Sequence, residues 1–186
     1  MIDVGELKKG IAIELDGQPY QVLDYQHIKM GRGSAQIRIR LRDISGGHTS
    51  ERVFQASEKF KLAPLERHQV QYLYNDGGLY YFMDNETFEQ MAIDESKVSK
   101  VKGYLKDGMN LEMLTYKELA VDLELPAAVA LQVTDTGPGF KGNTASGGTK
   151  PARLETGITV QVPFFINNGD TIKVDTRSGE YLERTG

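Results

Sequence analysis

The chain has no cysteine, no tryptophan, three histidines and no apolar run of membrane-spanning length. Without cysteine, disulfides, thiolate metal sites and a thiol nucleophile are excluded. His27, His48 and His68 fall in separate segments with no ligand-like spacing, so no metal and no cofactor are expected. No Ser-His-Asp order and no local carboxylate pair stands out, so the chain does not read as an enzyme. Met1-Ile2-Asp3-Val4-Gly5-Glu6 lacks the pattern of a signal peptide, and a cytoplasmic protein with no membrane partner is expected. Net positive charge is also absent: the formal charge is −4 over 186 residues. That argues against a polyanionic partner until its distribution is considered.

Split at Pro64 and Pro126, residues 1–64 carry 10 Lys+Arg and 8 Asp+Glu, net +2. Residues 65–126 carry 6 and 12, net −6, and residues 127–186 carry 6 of each. Six of the first segment's cations are Lys29, Arg32, Arg38, Arg40, Arg42 and Arg52. An RNA partner is therefore expected to meet the two ends of the chain. The acidic middle serves as a spacer or as a contact for basic protein.

The densest signal is Lys29-Met30-Gly31-Arg32-Gly33-Ser34-Ala35 and the run Gln36-Ile37-Arg38-Ile39-Arg40-Leu41-Arg42 behind it. Strand side chains alternate faces, so Ile37, Ile39 and Leu41 point to a core and Arg38, Arg40 and Arg42 point away. Gly31 and Gly33 flank Arg32 and permit the positive φ of a tight hairpin tip. One long cation held at a narrow tip suits a polyanionic crevice, of which nucleic acid is the commonest. The same residues also read as a solvated basic strand with an ordinary turn.

The rest reads as short alternating runs between turn signals, the pattern of small barrels. Strands are expected at Ile11–Leu15, Tyr20–Ile28, Gln36–Asp43 and Thr49–Ser57, with hairpin turns at Asp16-Gly17 and Gly46-Gly47. One helical turn is expected over Glu6–Gly10. Val70–Tyr74 and Leu79–Met83 form a hairpin through Asn75-Asp76-Gly77-Gly78, its tyrosines packed or on an ordinary acidic surface. Asp94–Val98 reads as a capped short helix and Val121–Leu125 as a strand. Val129–Val133, Ile158–Ile166, Thr171–Asp175 and Tyr181-Leu182 complete a third barrel.

A second loop, Thr136–Lys150, has five glycines and two lysines. A phosphate-binding P-loop needs Gly-Lys-Ser/Thr opening a helix, whereas Gly147-Gly148-Thr149-Lys150 leads to Pro151 and a strand. Nucleotide hydrolysis is not expected. Backbone amides with Lys141, Asn143 and Thr144 suit contact with RNA backbone and bases.

The third segment contains Lys150-Pro-Ala152-Arg-Leu-Glu-Thr-Gly157-Ile-Thr-Val160-Gln-Val162-Pro163-Phe-Phe-Ile166-Asn-Asn-Gly169. This resembles the signature of the bacterial elongation factor P family. The likeness continues through Ile172–Tyr181 and includes Tyr25-Gln26-His27 before the Lys29–Ala35 tip. The resemblance implies a KOW/SH3-like barrel over 1–64 and two OB-like barrels over 65–126 and 127–186, L-shaped like tRNA. It implies a translation factor that binds the bacterial ribosome beside peptidyl-tRNA and relieves stalls at consecutive prolines, and a monomer is expected. The implied contacts are Lys29, Gly31, Arg32, Gly33, Arg38, Arg40, Arg42, Lys141, Gly142, Asn143, Thr144, Tyr181 and Arg184. Two positions depart from the family pattern. Many relatives carry a modified lysine where Arg32 stands, so Arg32 is either rhamnosylated by a glycosyltransferase or unmodified. Asn143 replaces an aspartate of the codon-facing loop, losing a charge and gaining a donor. A paralogous elongation-factor-P-like protein and a general OB-fold RNA-binding protein are the alternatives.

Overall fold

The computed structural model describes residues 1–28, 35–139 and 148–185. The chain is all-β, with sixteen strands among these residues arranged in three sheets. It divides into two compact units, Met1–His68 with Met113–Asp122 and Gln69–Glu112 with Leu123–Gly186.

In the first unit the strands are β1 (Ile2–Asp3), β2 (Ala12–Leu15), β3 (Gln18–Ile28), β4 (Gln36–Asp43), β5 (Thr49–Gln55) and β6 (Lys59–Leu62). Their order across the sheet is β1-β6-β2-β3-β4-β5. Asp16 and Gly17 both take positive φ (52° and 80°), as a two-residue hairpin turn requires. The helical turn expected at Glu6–Gly10 lies earlier, as a 3-10 turn over Val4–Glu6. The reason is local: Asp3 caps it by accepting from the Gly5 N–H, and Glu6 reaches back to the Asp3 N–H. Gly10, at φ 90°, instead turns the chain toward β2. The core gathers Val4, Leu7, Ile13, Val22, Ile37, Ile39, Leu41 and Phe60. Ile37, Ile39 and Leu41 are fully buried, and each such side chain stabilises by about 1.5–3 kcal/mol.

The first unit also takes in the hairpin between β10 (Asn110–Tyr116) and β11 (Leu119–Glu124). Its two turn residues, Lys117 and Glu118, both sit at positive φ (52° and 64°) without being glycine or asparagine. A charged cluster fixes the place. The Tyr116 hydroxyl donates to the Glu14 carboxylate, and Lys61 and Lys117 lie 3.1 Å and 3.2 Å from it. The Lys117 ammonium also stands 5.0 Å from the centre of the Tyr116 ring. The Tyr116 hydrogen bond, joined by the two lysines, holds the Glu14 carboxyl down at about 2.

The second unit holds β7 (Glu66–Asp76, from Gln69 on), β8 (Leu79–Asp84) and β9 (Gln90–Asp94). The sheet order is β11-β10-β7-β8-β9. Gly77 and Gly78 make the β7–β8 turn, both at positive φ. Tyr72, Tyr80 and Phe82 are buried, while Tyr74 is exposed and stacks on Tyr81 at 4.6 Å. Short helix α1 (Glu95–Val98) follows, capped by Asp94, which accepts from the Ser96 N–H at 2.9 Å.

The same unit contains β12 (Ala128–Thr136), β13 (Thr149–Leu154), β14 (Thr159–Pro163), β15 (Thr171–Asp175) and β16 (Tyr181–Arg184), ordered β14-β13-β12-β15-β16. Val129, Leu131, Val133, Ala152, Leu154, Val160, Val162, Ile166, Ile172 and Val174 make its core. The run expected as one strand over Ile158–Ile166 ends at Pro163. Ile166 turns inward instead, its N–H bonded to the Pro163 carbonyl.

Candidate nucleic-acid interface

β4 alternates as its residue types require. Ile37, Ile39 and Leu41 are buried, and Arg38, Arg40 and Arg42 are exposed. At about 3.3 Å per residue the three guanidiniums span about 13 Å of strand. Their neighbours differ. Arg40 lies opposite Asp24 on β3 and Glu51 on β5. Arg38 lies opposite Gln26 and Val53, and Arg42 opposite Gln21 and Thr49. A β-bulge between Val22 and Asp24 sets this register. Asp24 is itself engaged: Lys9 lies 2.8 Å away and the Tyr25 N–H donates at 2.9 Å. These hydrogen bonds, Lys9 foremost, hold its carboxyl below the usual aspartate range.

Asp24, Tyr25, Gln26, Arg38, Arg40 and Glu51 line a polar groove of about 150 Å³. The row is therefore not uniformly positive. Its centre is balanced by carboxylates and its two flanking arginines have neutral cross-strand partners. Arg52, grouped with these cations by sequence, serves elsewhere. It pairs with Asp16 at 3.1 Å and its guanidinium lies 5.0 Å from the Tyr20 ring centre.

The β3–β4 ladder runs to Ile28↔Gln36, and the Ala56 N–H bonds the Ala35 carbonyl at 2.8 Å. Lys29, Gly31, Arg32 and Gly33, the residues between these strands, lie outside the described residues.

In the second unit, Lys141, Gly142, Asn143 and Thr144 likewise lie outside the described residues. Both ends of their segment are described. Lys150, which sequence placed with the loop's cations, is only 6% exposed. It sits on the inward side of β13 with Ala152 and Leu154, opposite the buried Val162. Its ammonium donates to the Gly137 carbonyl at 2.7 Å. The inward phase of Lys150-Pro151-Ala152-Arg153-Leu154 is the signal that could have revealed it.

Tyr181 is half-buried and packs on the core opposite Val174. Arg184 keeps an accessible side chain, 3.7 Å from Asp170, with its guanidinium 5.7 Å from the ring centre of the exposed Phe165. Arg184 thus presents a cation, and Tyr181 packs on the core while keeping part of its side chain accessible. Among the described residues no cluster of three or more His, Asp or Glu side chains is arranged to hold a metal ion, and no helix is long and apolar enough to cross a membrane.

Three family profiles match nearly the whole chain. The elongation factor P KOW-like domain matches residues 3–60, the elongation factor P OB domain residues 65–123, and the elongation factor P C-terminal domain residues 129–184. Elongation factor P of Thermoanaerobacter sp. (strain X514) is 50% identical over 184 residues, covering 99% of this chain and 100% of that protein. Elongation factor P of Aquifex aeolicus (strain VF5) is 46% identical, covering 98% and 95%. Among solved structures, a eukaryotic translation initiation factor 5A from Methanococcus jannaschii aligns with a TM-score of 0.51 at 25% identity, over 66% of this chain and 94% of that one.

Proposed function

Because the chain belongs to the elongation factor P family and is a translation elongation factor, we propose that it binds the bacterial ribosome beside peptidyl-tRNA and speeds peptide-bond formation where consecutive prolines stall it. Proline is a poor acceptor, and a proline-bearing nascent chain leaves the peptidyl-tRNA badly placed. A protein that holds the tRNA restores near-attack geometry and the entropic advantage that goes with it. The ribosome performs the chemistry, and this chain acts as no enzyme and needs no cofactor.

The β3–β4 ladder carries this reading. Its outer side bears Arg38, Arg40 and Arg42, and its last pair, Ile28↔Gln36, leads into the segment that holds Arg32. In this proposal Arg32 donates to the acceptor end of the tRNA and stays protonated throughout the working pH range. Lys29, Gly31 and Gly33 support it. Lys141, Gly142, Asn143 and Thr144 meet the codon region, and Arg184 meets tRNA from the other unit. The working division is three domains, 1–64, 65–126 and 127–186, in a cytoplasmic monomer.

The arginine-tip subtype also belongs to this proposal. Chemistry that adds a lysine-like group to an amine does not act on a guanidinium, so Arg32 is either unmodified or the substrate of a rhamnosyl-transferring partner. The test is a reconstituted bacterial translation system lacking this factor. Adding the protein is expected to speed synthesis of a Pro-Pro-Pro peptide and leave a proline-free control unchanged. Equal rates with and without the protein would refute the reading. A deoxyhexose increment on the Arg32 peptide, read by mass spectrometry of protein from its native cell, decides the modification.

A further inference from the structure

The outward side of β3, β4 and β5 carries acids where a surface built only to attract phosphate would carry none. Asp24 and Glu51 lie on either side of Arg40, one on each neighbouring strand. They stand at the middle of a row whose outer members are Arg38 and Arg42, about 13 Å apart along the strand. All five side chains are exposed, and so is Val53, which lies opposite Arg38.

The carboxylates are not consumed by their neighbours. Among the described residues, neither forms an ion pair with Arg40, and Gln26, Arg38 and Glu51 make no side-chain hydrogen bond. Asp24 binds Lys9 and the Tyr25 N–H, but both bonds end on Oδ1. Asp24 Oδ2 and both Glu51 oxygens remain as acceptors along the groove, with Arg38 and the Gln26 amide as donors in its lining. A carboxylate repels phosphate, so at this place it lowers affinity for any nucleic acid. It is, however, a strong acceptor for a neutral hydroxyl. The ribose 2′-hydroxyl is a donor that RNA has and DNA lacks, and the wide, shallow minor groove of an A-form duplex displays it.

We propose that this face is a specificity site that tells RNA from DNA: Arg38 and Arg42 take backbone phosphates, and the carboxylates of Asp24 and Glu51 between them accept from ribose 2′-hydroxyls. The inference rests on the reading that the β4 row meets RNA, and it deepens that reading by assigning the acids a part. With RNA the carboxylates gain partners for the hydration they give up. With DNA they are left unpaired beside phosphates, which costs affinity. The acids thus trade general attraction for discrimination.

The probes are a short RNA hairpin, the DNA hairpin of the same sequence, and the RNA hairpin with 2′-fluoro sugars, which keeps the A-form but lacks the donor. Their binding to the purified full chain is compared at one salt concentration. The parent is expected to bind RNA about tenfold tighter than either other hairpin, as the loss of a hydrogen bond to a charged acceptor requires. Glu51→Ala is expected to bind DNA more tightly than the parent does, having lost a repulsive charge, and to lose most of the preference for RNA. Glu51→Gln keeps a neutral acceptor and is expected to hold part of that preference. A residue that merely supported the sheet would move all three affinities together. Equal binding of the three hairpins by the parent, or an unchanged preference in Glu51→Ala, would overturn the inference. Arg38→Glu with Arg42→Glu separates it from the reading beneath it. If that variant binds the RNA hairpin as the parent does, the row is no RNA contact and both fall. If it weakens all three hairpins while the parent shows no preference, the row stands and only the part given to the carboxylates falls.

Discussion

The outer row of β4 and the base of the loop after β12 both bring cations to a connection between strands, by opposite means. Arg38, Arg40 and Arg42 stand on the solvent side of an edge-near strand, their inward neighbours filling the core. Lys150 takes the inward phase of β13 and holds a single backbone carbonyl. An exposed guanidinium is free to meet a phosphate, and its worth is screened by salt. A buried ammonium costs several kcal/mol in lost hydration, offset only by fixed partners. The first arrangement leaves its cations accessible, the second ties one into the frame. Within one protein, the strand phase a cation occupies decides whether it faces solvent or fixes a backbone carbonyl.

The largest expected effect lies where β4's row leads. Arg32→Ala should abolish acceleration of Pro-Pro synthesis while leaving the melting temperature unchanged, because the proposed part is contact alone. Arg32→Lys should be only partly active, since an ammonium cannot reproduce the planar fork of donors. A reconstituted translation assay beside a thermal melt checks both.

Next comes the row itself. Arg38→Glu with Arg42→Glu should weaken ribosome binding at least tenfold and lower the slope of log affinity against log salt by about 1.5. Reversing Arg40 alone should do less than reversing either flanking arginine, because Asp24 and Glu51 already lie opposite it. Equal losses from all three positions would break the distinction drawn along the row. Filter binding across a salt series measures it.

Lys150→Met tests the other arm. It should cost about 1–3 kcal/mol in urea unfolding by leaving the Gly137 carbonyl without its donor. The salt slope of ribosome binding should stay that of the parent. A changed slope would make Lys150 a contact residue and erase the comparison.

The smallest effect concerns a carboxylate held as Lys150 is held. Glu14 accepts from Tyr116 and lies beside Lys61 and Lys117, and its carboxyl is lowered from its ordinary 4.5 to about 2. A depressed carboxylate contributes stability that is fully present above about 4.5 and is lost as pH falls through about 2. Glu14→Gln should therefore melt below the parent at pH 7, and the gap should narrow steadily between pH 4.5 and 2. A gap independent of pH would show that the cluster works by packing alone.

What could be read without coordinates was local. Period-two alternation exposed the two faces of β4, and glycines marked the turns at Asp16-Gly17 and Gly77-Gly78, because their signals reside in neighbouring residues. The long motif from Lys150 to Gly169 was enough to place the chain among translation factors. Other strands were silent. β9 and β10 lack a clean alternation of polar and apolar types, as in Asn110-Leu-Glu-Met-Leu-Thr-Tyr116, where four consecutive residues are buried.

The sequence by itself therefore determined the all-β class, the basic outer row and the family, all carried by near neighbours along the chain. Only the tertiary structure decided which cations are available and where the backbone of one segment leaves no room for a side chain on another. The turn at Lys117-Glu118 carries no turn residue and is placed beside Glu14, about a hundred positions earlier in the chain. Lys150 lost its apparent place among the loop's cations because it lies on the buried face of β13 with Ala152 and Leu154, opposite Val162, and donates to the Gly137 carbonyl. A Cβ on Gly139 would meet the Phe164 carbonyl oxygen at 2.7 Å, because Phe164 arrives from another strand's end. In each case the cause is a close approach between distant segments, where sterics and desolvation act, and no local periodicity records it.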